Sequence, residues 1–455
     1  MIAGAGEIPM SDRPADERVR DFREVDTGLT PDEAMEEAGR CLQCKKPGCV
    51  RGCPVGIDIP AFISEIAAGS FDRAAAIIRK DNILPAVCGR VCPQEVQCEG
   101  ECILKGKEIP INIGGLERFA ADWERIHAPA LPETGKPTGK KVAVVGSGPA
   151  GLTAAFELKK RGHDVTMYES LHKAGGVLMY GIPSFRLPKE VVQAEIDQLR
   201  SMGVKIKLNH LAGNSVTVDE LKKFDAVFIG TGAGLPFFMG IPGEQLAGVY
   251  SANEFLTRVN LMRADRFPET DTPVKRGSRV VVIGGGNVAM DAARVARRLG
   301  ARVSLVYRRR EEDFPARKAE VAHAKEEGIE FVLCANPVRI LGEQCVTGVE
   351  CIRMQMCDPD QSGRPEPVPV EESTFLIDAD MCIEAIGQGP NPLLIRKLPG
   401  VEYGRKGNII VADDGRSSLP GFYAGGDVAT GAATVILAMG SAKNAAHAID
   451  RFLRD

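Results

Sequence analysis

The stretch that decides the fold runs Lys141-Val142-Ala143-Val144-Val145-Gly146-Ser147-Gly148-Pro149-Ala150-Gly151. Five residues of near-continuous apolar character read as a strand buried on both faces, the mark of a parallel sheet. The glycines that follow have separate duties: a tight turn at Gly146, close approach to a pyrophosphate at Gly148, and helix–strand packing at Gly151. A helix opening at Pro149 and Ala150 then aims its backbone N–H groups at the phosphates. That helix is expected to run to Arg161, with Gly162 ending it. Val165-Thr166-Met167-Tyr168 reads as the next strand, and Glu169 stands where a carboxylate grips a ribose diol.

The pattern recurs. Val280-Val281-Val282-Ile283 leads into Gly284-Gly285-Gly286-Asn287-Val288-Ala289, with Ala289 in the third glycine position, which the fingerprint allows. Strand Val303–Val306 follows, and its end carries Tyr307-Arg308-Arg309-Arg310 instead of an acid. Guanidinium groups there suit a 2′-phosphate, through charge-assisted bidentate hydrogen bonds. The two units therefore predict two Rossmann-like domains, the second for NADP(H). Two further segments read as returning to the first site: Ile229-Gly230-Thr231-Gly232, and Phe422-Tyr423-Ala424-Gly425-Gly426-Asp427. In a two-dinucleotide flavoprotein the latter holds the FAD ribityl chain.

Working outward, the chain has 455 residues, 44% hydrophobic and 26% charged, with 50 glycines and a net charge of −4. This is an ordinary globular balance of about three domains. Charge and the low aromatic content (5%) argue against nucleic acid and anionic lipid. No apolar run of membrane-spanning length appears, and the first ten residues lack the form of a secretory signal, so a cytoplasmic location is expected.

Eight of the 13 cysteines fall between Cys41 and Cys102. The first group reads Cys41-x2-Cys44-x4-Cys49-x3-Cys53-Pro54. The second reads Cys88-x3-Cys92-Pro93, then Cys98-x3-Cys102. The close spacing and the Cys-Pro ending resemble the bacterial ferredoxin run, but with four residues where it has two; in two-cluster ferredoxins the runs exchange ligands, so two 4Fe–4S clusters are expected. Two structural zinc ions are the alternative, but only Cys41/Cys44 forms the knuckle zinc favours. The segment reads as helical: a capping box at Thr30–Glu33 opens one helix, and Pro60–Ala68 and Phe71–Lys80 suggest two more, Ser70 capping the last. No strand pattern precedes residue 140, and residues 128–140 read as a linker. Cys334, Cys345, Cys351, Cys357 and Cys382 read as small buried apolar residues. The expected layout is a helical iron–sulfur domain (1–130), the first part of an FAD domain (138–270), an NADP(H) domain (271–389) and the rest of the FAD domain (390–455).

Taken together, the segments RCLQCKKPGCVRGCPVGIDIP, LPAVCGRVCPQEVQCEGEC, INIGGLERF, VGSGPAGL, GIPSFRLPK, VVIGGGNVAMD and AGGDV identify a resemblance. The chain resembles the small (β) subunit family of NADPH-dependent glutamate synthase from Arg40 to its end. The same module is similar to the N-terminal half of dihydropyrimidine dehydrogenase and to the large subunit of electron-bifurcating NADH-dependent ferredoxin:NADP oxidoreductase. The resemblance implies one cluster on Cys41, Cys44, Cys49 and Cys102. It implies a second on Cys53, Cys92, Cys98 and a non-cysteine ligand at Glu117, where the dihydropyrimidine enzymes carry Gln. Cys88 is then not a ligand. The resemblance adds Gly176, Arg186, Thr434 and Val435 to the FAD site.

The implied activity passes hydride between NADP(H) and FAD and single electrons to or from the clusters, so no acid–base pair is required. The chain has no room for an amidotransferase and a synthase barrel. The expected partner is a large glutamate synthase subunit, a small NAD-binding flavoprotein or ferredoxin, and self-association is also compatible. The reading from another class is a zinc-stabilised NADP-binding protein without turnover.

Overall fold

The computed structural model describes residues 11–106, 108–127, 133–276, 278–359 and 363–455. The opening decapeptide and part of the expected linker lie outside them.

The cysteine-rich region is helical. Thr30 and Glu33 form the expected capping box at the start of helix Pro31–Gly39. Asp58 caps Ile59–Ala67 through its side chain. Ser70 precedes Phe71–Arg79 but makes no capping hydrogen bond, contrary to expectation. Pro85–Val91 and Ile113–His127 complete the bundle. These two cross closely at Gly89, where a Cβ would lie 2.6 Å from the Arg118 nitrogen. Among the described residues before 140 there is no strand, only isolated bridges. Phe62, Ile63, Ile66, Ile78 and Leu116 fill the interior.

The chain then builds two parallel five-stranded sheets. The first has the order Phe422–Ala424, Ala226–Ile229, Lys141–Val145, Asp164–Tyr168, Lys205–Lys207. The second has the order Val249–Ser251, Met381–Glu384, Arg279–Ile283, Arg302–Tyr307, Glu330–Leu333. The central strands of both are apolar throughout because helices cover both faces. The short antiparallel pair Leu235–Pro236 and Gln388–Gly389 links the units where the chain crosses between them. The second unit carries an antiparallel addition that alternation alone did not announce: Ala335–Gly342, Val346–Pro359 and Pro365–Asp378.

One continuous apolar core joins the helical domain to the first sheet's domain, whereas the second sheet's domain has its own core. The seam between the two sheet units is ionic. Arg186 pairs with Asp291 and Glu320, and Arg294 with Glu320 and Glu327. Arg18, from the N-terminal segment, reaches Glu327 at 3.0 Å.

Candidate functional site

At the first glycine turn, Gly146 has φ +97, and a Cβ there would collide with the Gly230 carbonyl of the neighbouring strand's loop. A Cβ on Gly151 would collide with the Gly146 carbonyl, so the helix Pro149–Lys160 can start this close to its strand only with glycine at both positions. Glu169 ends the next strand. It accepts from the Ser147 N–H at 3.0 Å and the Leu171 N–H at 2.8 Å, which orients the carboxylate across the turn. Gly176, at φ +53, approaches the Gly148 Cα so closely that a Cβ would lie 2.8 Å from it. Thr231 and Gly232 continue the adjacent loop, and Gly426 presses on Ala150.

Two helices begin here. Asp427 starts Asp427–Thr430 and is half-enclosed, its carboxyl pushed up by burial. Thr434 caps Val435–Arg454 by accepting from Leu437 N–H at 3.3 Å, with Val435 the first helical residue. Helix N-termini and closely packed glycine turns supply the backbone donors a dinucleotide pyrophosphate requires, so these residues fit FAD.

Arg186, which the resemblance assigns to the FAD site, also reaches across to the second sheet's unit. Its guanidinium lies 2.7–2.8 Å from both oxygens of Asp291 and 2.9 Å from Glu320. A buried guanidinium needs carboxylate partners, and here they come from the NADP(H) unit. Asp291, within VVIGGGNVAMD, is the single acid of helix Asn287–Arg298 and is buried, the one local signal of its role.

At the second turn, Gly284 has φ +140 and Gly286 precedes helix Asn287–Arg298. A Cβ on Gly285 would strike the Tyr307 ring, which stacks on Phe314 at 4.6 Å. Asn287 accepts from the Arg317 N–H at 3.0 Å, and Val288 faces outward. The three arginines separate in space. Arg308 is exposed and makes no ion pair among the described residues. Arg309 is buried and donates to the Pro365 carbonyl at 2.8 Å, tying the strand end to the long hairpin. Arg310 pairs with Glu312 and Asp313.

The cysteines form two groups. Cys41, Cys44, Cys49 and Cys102 line one small cavity with Ile59 and Ile63. Burial raises the Cys49 thiol to about 11, with added repulsion from Cys41 and Cys102. In the other group, the Glu117 charge is felt at Cys53, Cys92 and Cys98, whose thiols burial also pushes up. Burial lifts the Glu117 carboxyl itself to about 8. Clustered anionic donors in a dry interior are unfavourable by themselves, and a cationic iron–sulfur core is what compensates them. The first group is half-buried, whereas Cys92, Cys98 and Glu117 of the second are buried. Cys88 is fully buried, its sulfur 3.8 Å from Asn82 Oδ1 and 3.6 Å from Met439 Sδ. Of the later cysteines only Cys351 and Cys382 are buried. Cys334 is half-buried, and Cys345 and Cys357 are exposed on the antiparallel addition, so the expectation of uniform burial is corrected.

Residues 18–128 match the model of dihydropyrimidine dehydrogenase domain II, 4Fe-4S cluster, and residues 140–450 match pyridine nucleotide-disulphide oxidoreductase. The chain is 37% identical to the glutamate synthase [NADPH] small chain of Escherichia coli, covering 97% of this chain and 96% of that one. It belongs to the glutamate synthase small-chain family. The Azospirillum brasilense small chain is 35% identical over 97% of this chain and 94% of its own. The NADP(+)-dependent formate dehydrogenase subunit beta of Moorella thermoacetica is 40% identical over 89% of this chain, which spans only 60% of that relative's length. The fold is also that of Mycobacterium tuberculosis FprA in complex with NADPH, with a TM-score of 0.59 and 22% identity over 70% of this chain and 85% of that one. The cofactor set of this family is FAD, NADP(H) and 4Fe–4S clusters. Among the described residues no helix is long and apolar enough to cross a membrane.

Proposed function

We propose that this chain is the NADPH-oxidising, electron-delivering subunit of a larger redox enzyme. The observation that carries this reading is the seating of the cluster domain on the flavin domain. The Pro54 carbonyl, beside Cys53, packs against Gly440 of helix Val435–Arg454, the helix whose N-terminus faces the FAD groove. Lys443 of the same helix donates to the Val55 carbonyl at 2.9 Å and pairs with Asp81 at 2.7 Å. In this reading the Cys53 group, next to the Pro54–Gly440 contact, is the one nearer the flavin domain.

In this reading Gly284–Val288 and Arg308 bind NADP(H), with Arg309 holding the strand end in place. The turn Gly146–Gly151, Glu169, Gly176, Thr231, Gly232, Asp427, Thr434 and Val435 hold FAD. Arg186 holds the two dinucleotide units in register through Asp291 and Glu320. When bound, FAD exchanges hydride with the nicotinamide and the clusters exchange single electrons. Cys41, Cys44, Cys49 and Cys102 hold the outer cluster, and Cys53, Cys92, Cys98 and Glu117 the inner one. Glu117 is preferred to Cys88 on the family resemblance and because the Asn82 amide holds its carboxylate at 2.6 Å; Cys88 lies nearby, its sulfur 3.8 Å from Asn82 Oδ1 and 3.6 Å from Met439 Sδ.

Exposed Leu42 and Ile103, with Lys45 and Lys46 beside them, cap the outer group and offer a face to a partner redox subunit. A glutamate synthase large subunit is one such partner. The 40% identity to the formate dehydrogenase and NADPH-Fe(3+) oxidoreductase beta subunits supports a second, in which another redox subunit takes the electrons. The test is anaerobic NADPH-driven reduction of a one-electron dye by the isolated chain, with glutamate assayed from glutamine and 2-oxoglutarate. Dye reduction without glutamate is expected. Glutamate made by this chain alone would overturn the reading.

A further inference from the structure

Asn82 lies between helices Phe71–Arg79 and Pro85–Val91, is fully buried, and sits beside both candidates for the eighth cluster ligand. Its Nδ2 donates to Glu117 Oε1 at 2.6 Å. Its Oδ1 accepts from the Leu84 N–H at 2.8 Å and lies 3.8 Å from the Cys88 sulfur. The amide orientation is set by the network itself. A backbone N–H can only donate, so the atom facing Leu84 is the oxygen, which leaves the NH2 for the carboxylate. Glu117 Oε2 makes no hydrogen bond among the described residues. The carboxylate is thus held at one oxygen and presents the other.

We propose that Asn82 is the positioning residue that selects Glu117, not Cys88, as the eighth ligand. Its amide N–H fixes the carboxylate rotamer, and its oxygen accepts from the Cys88 thiol at 3.8 Å, a thiol that also interacts with the ligand Cys92. Partners of this kind orient ligands to a metal centre and tune it, and hydrogen bonding to the ligand shell is one of the levers on a cluster's potential. A neutral amide meets the need in a buried site, because it donates to a carboxylate without adding charge to an already anionic donor set.

This inference rests on the assignment of Glu117 as a ligand, and the experiment separates the two. Iron and acid-labile sulfide per chain, the EPR spectrum of the reduced clusters and their redox titration are compared for the anaerobically purified full chain and its Asn82→Ser, Glu117→Ala and Cys88→Ser variants. Serine keeps an acceptor for the Leu84 N–H but loses the amide that reaches Glu117.

Asn82→Ser is expected to change the g-values of one cluster and to lower its potential. Losing a hydrogen bond from the ligand makes the more negative, reduced cluster less favourable. A roughly tenfold shift of the reduction equilibrium corresponds to ~59 mV for one electron. The other cluster's signal and NADPH-driven flavin bleaching should be unchanged. If Glu117→Ala perturbs one cluster but Asn82→Ser leaves its potential and g-values at wild-type values, the positioning role is wrong. If Glu117→Ala leaves both clusters intact and Cys88→Ser removes one, the ligand assignment itself fails. Should Asn82→Ser not fold, Asn82→Thr, which likewise keeps a hydroxyl acceptor for the Leu84 N–H without adding charge, is read by the same criteria.

Discussion

Replacing Arg308 by alanine should separate NADPH from NADH. Arg308 follows strand Arg302–Tyr307, one strand over from the strand that carries the second glycine turn. That is where the adenosine ribose of a Rossmann-bound dinucleotide lies. Its guanidinium is exposed, whereas Arg309 is occupied by Pro365 and Arg310 by Glu312 and Asp313. Arg308 is therefore the arginine of the three that can meet a 2′-phosphate without breaking an existing contact. A charge-assisted hydrogen bond contributes about 1.5–3 kcal/mol. Exposure and screening place Arg308 at the lower end, and about 1.5 kcal/mol is roughly tenfold in affinity. The assay is kcat/KM with a dye acceptor for both nucleotides, at low and at physiological ionic strength. NADPH should lose roughly tenfold through KM, less at higher salt, while NADH changes little. Arg309→Ala should instead destabilise the hairpin junction, by about 1–3 kcal/mol for an orphaned carbonyl, and affect both nucleotides alike. Equal losses for the two nucleotides in Arg308→Ala would refute the assignment.

Other tests concern the clusters and the seams. Cys88→Ser should retain the wild-type iron content, whereas Cys92→Ser should lose about four irons, one 4Fe–4S cluster; the reverse pattern in metal analysis would reassign the ligands. Gly440→Val should force the Pro54 turn off the flavin helix, since even a Cβ there falls 2.7 Å from the Pro54 carbonyl. Stopped-flow should then show normal flavin bleaching by NADPH and slowed cluster reduction, and unaltered cluster reduction would discount this junction as the electron route. Glu327 is held down to about 2, despite its burial, by hydrogen bonds from Arg298 and Arg294. A carboxyl depressed in the folded state contributes stability above its ordinary value of 4.5, and that contribution is lost as pH falls toward 2. Glu327→Gln should flatten the acid limb of a stability-versus-pH curve and cost about 3–5 kcal/mol at neutral pH by stranding its arginines. An unchanged acid limb in denaturant melts followed by circular dichroism would remove Glu327 from the account.

The sequence alone determined whatever depends on local backbone chemistry. Gly146, Gly151 and Gly284 are required by the approach of one backbone to another within a single strand–turn–helix unit, so their spacing is legible without a partner. The capping box at Thr30 and Glu33 is local in the same way, as is the apolar run that marks each central strand. Ser70 shows the limit of such reading, since a residue suited to capping need not adopt the geometry. Only the tertiary structure decided how distant groups are shared. The resemblance implies Arg186 at the flavin site, and only the fold shows that Asp291 and Glu320, more than 100 residues away, lie beside it. Arg308, Arg309 and Arg310 are equivalent in sequence, and it is the hairpin reaching Arg309 that leaves Arg308 exposed. Glu117 and Asn82 are 35 residues apart with no pattern linking them. They meet because a helix bundle buries both, and a buried carboxylate must find a donor that no periodicity announces.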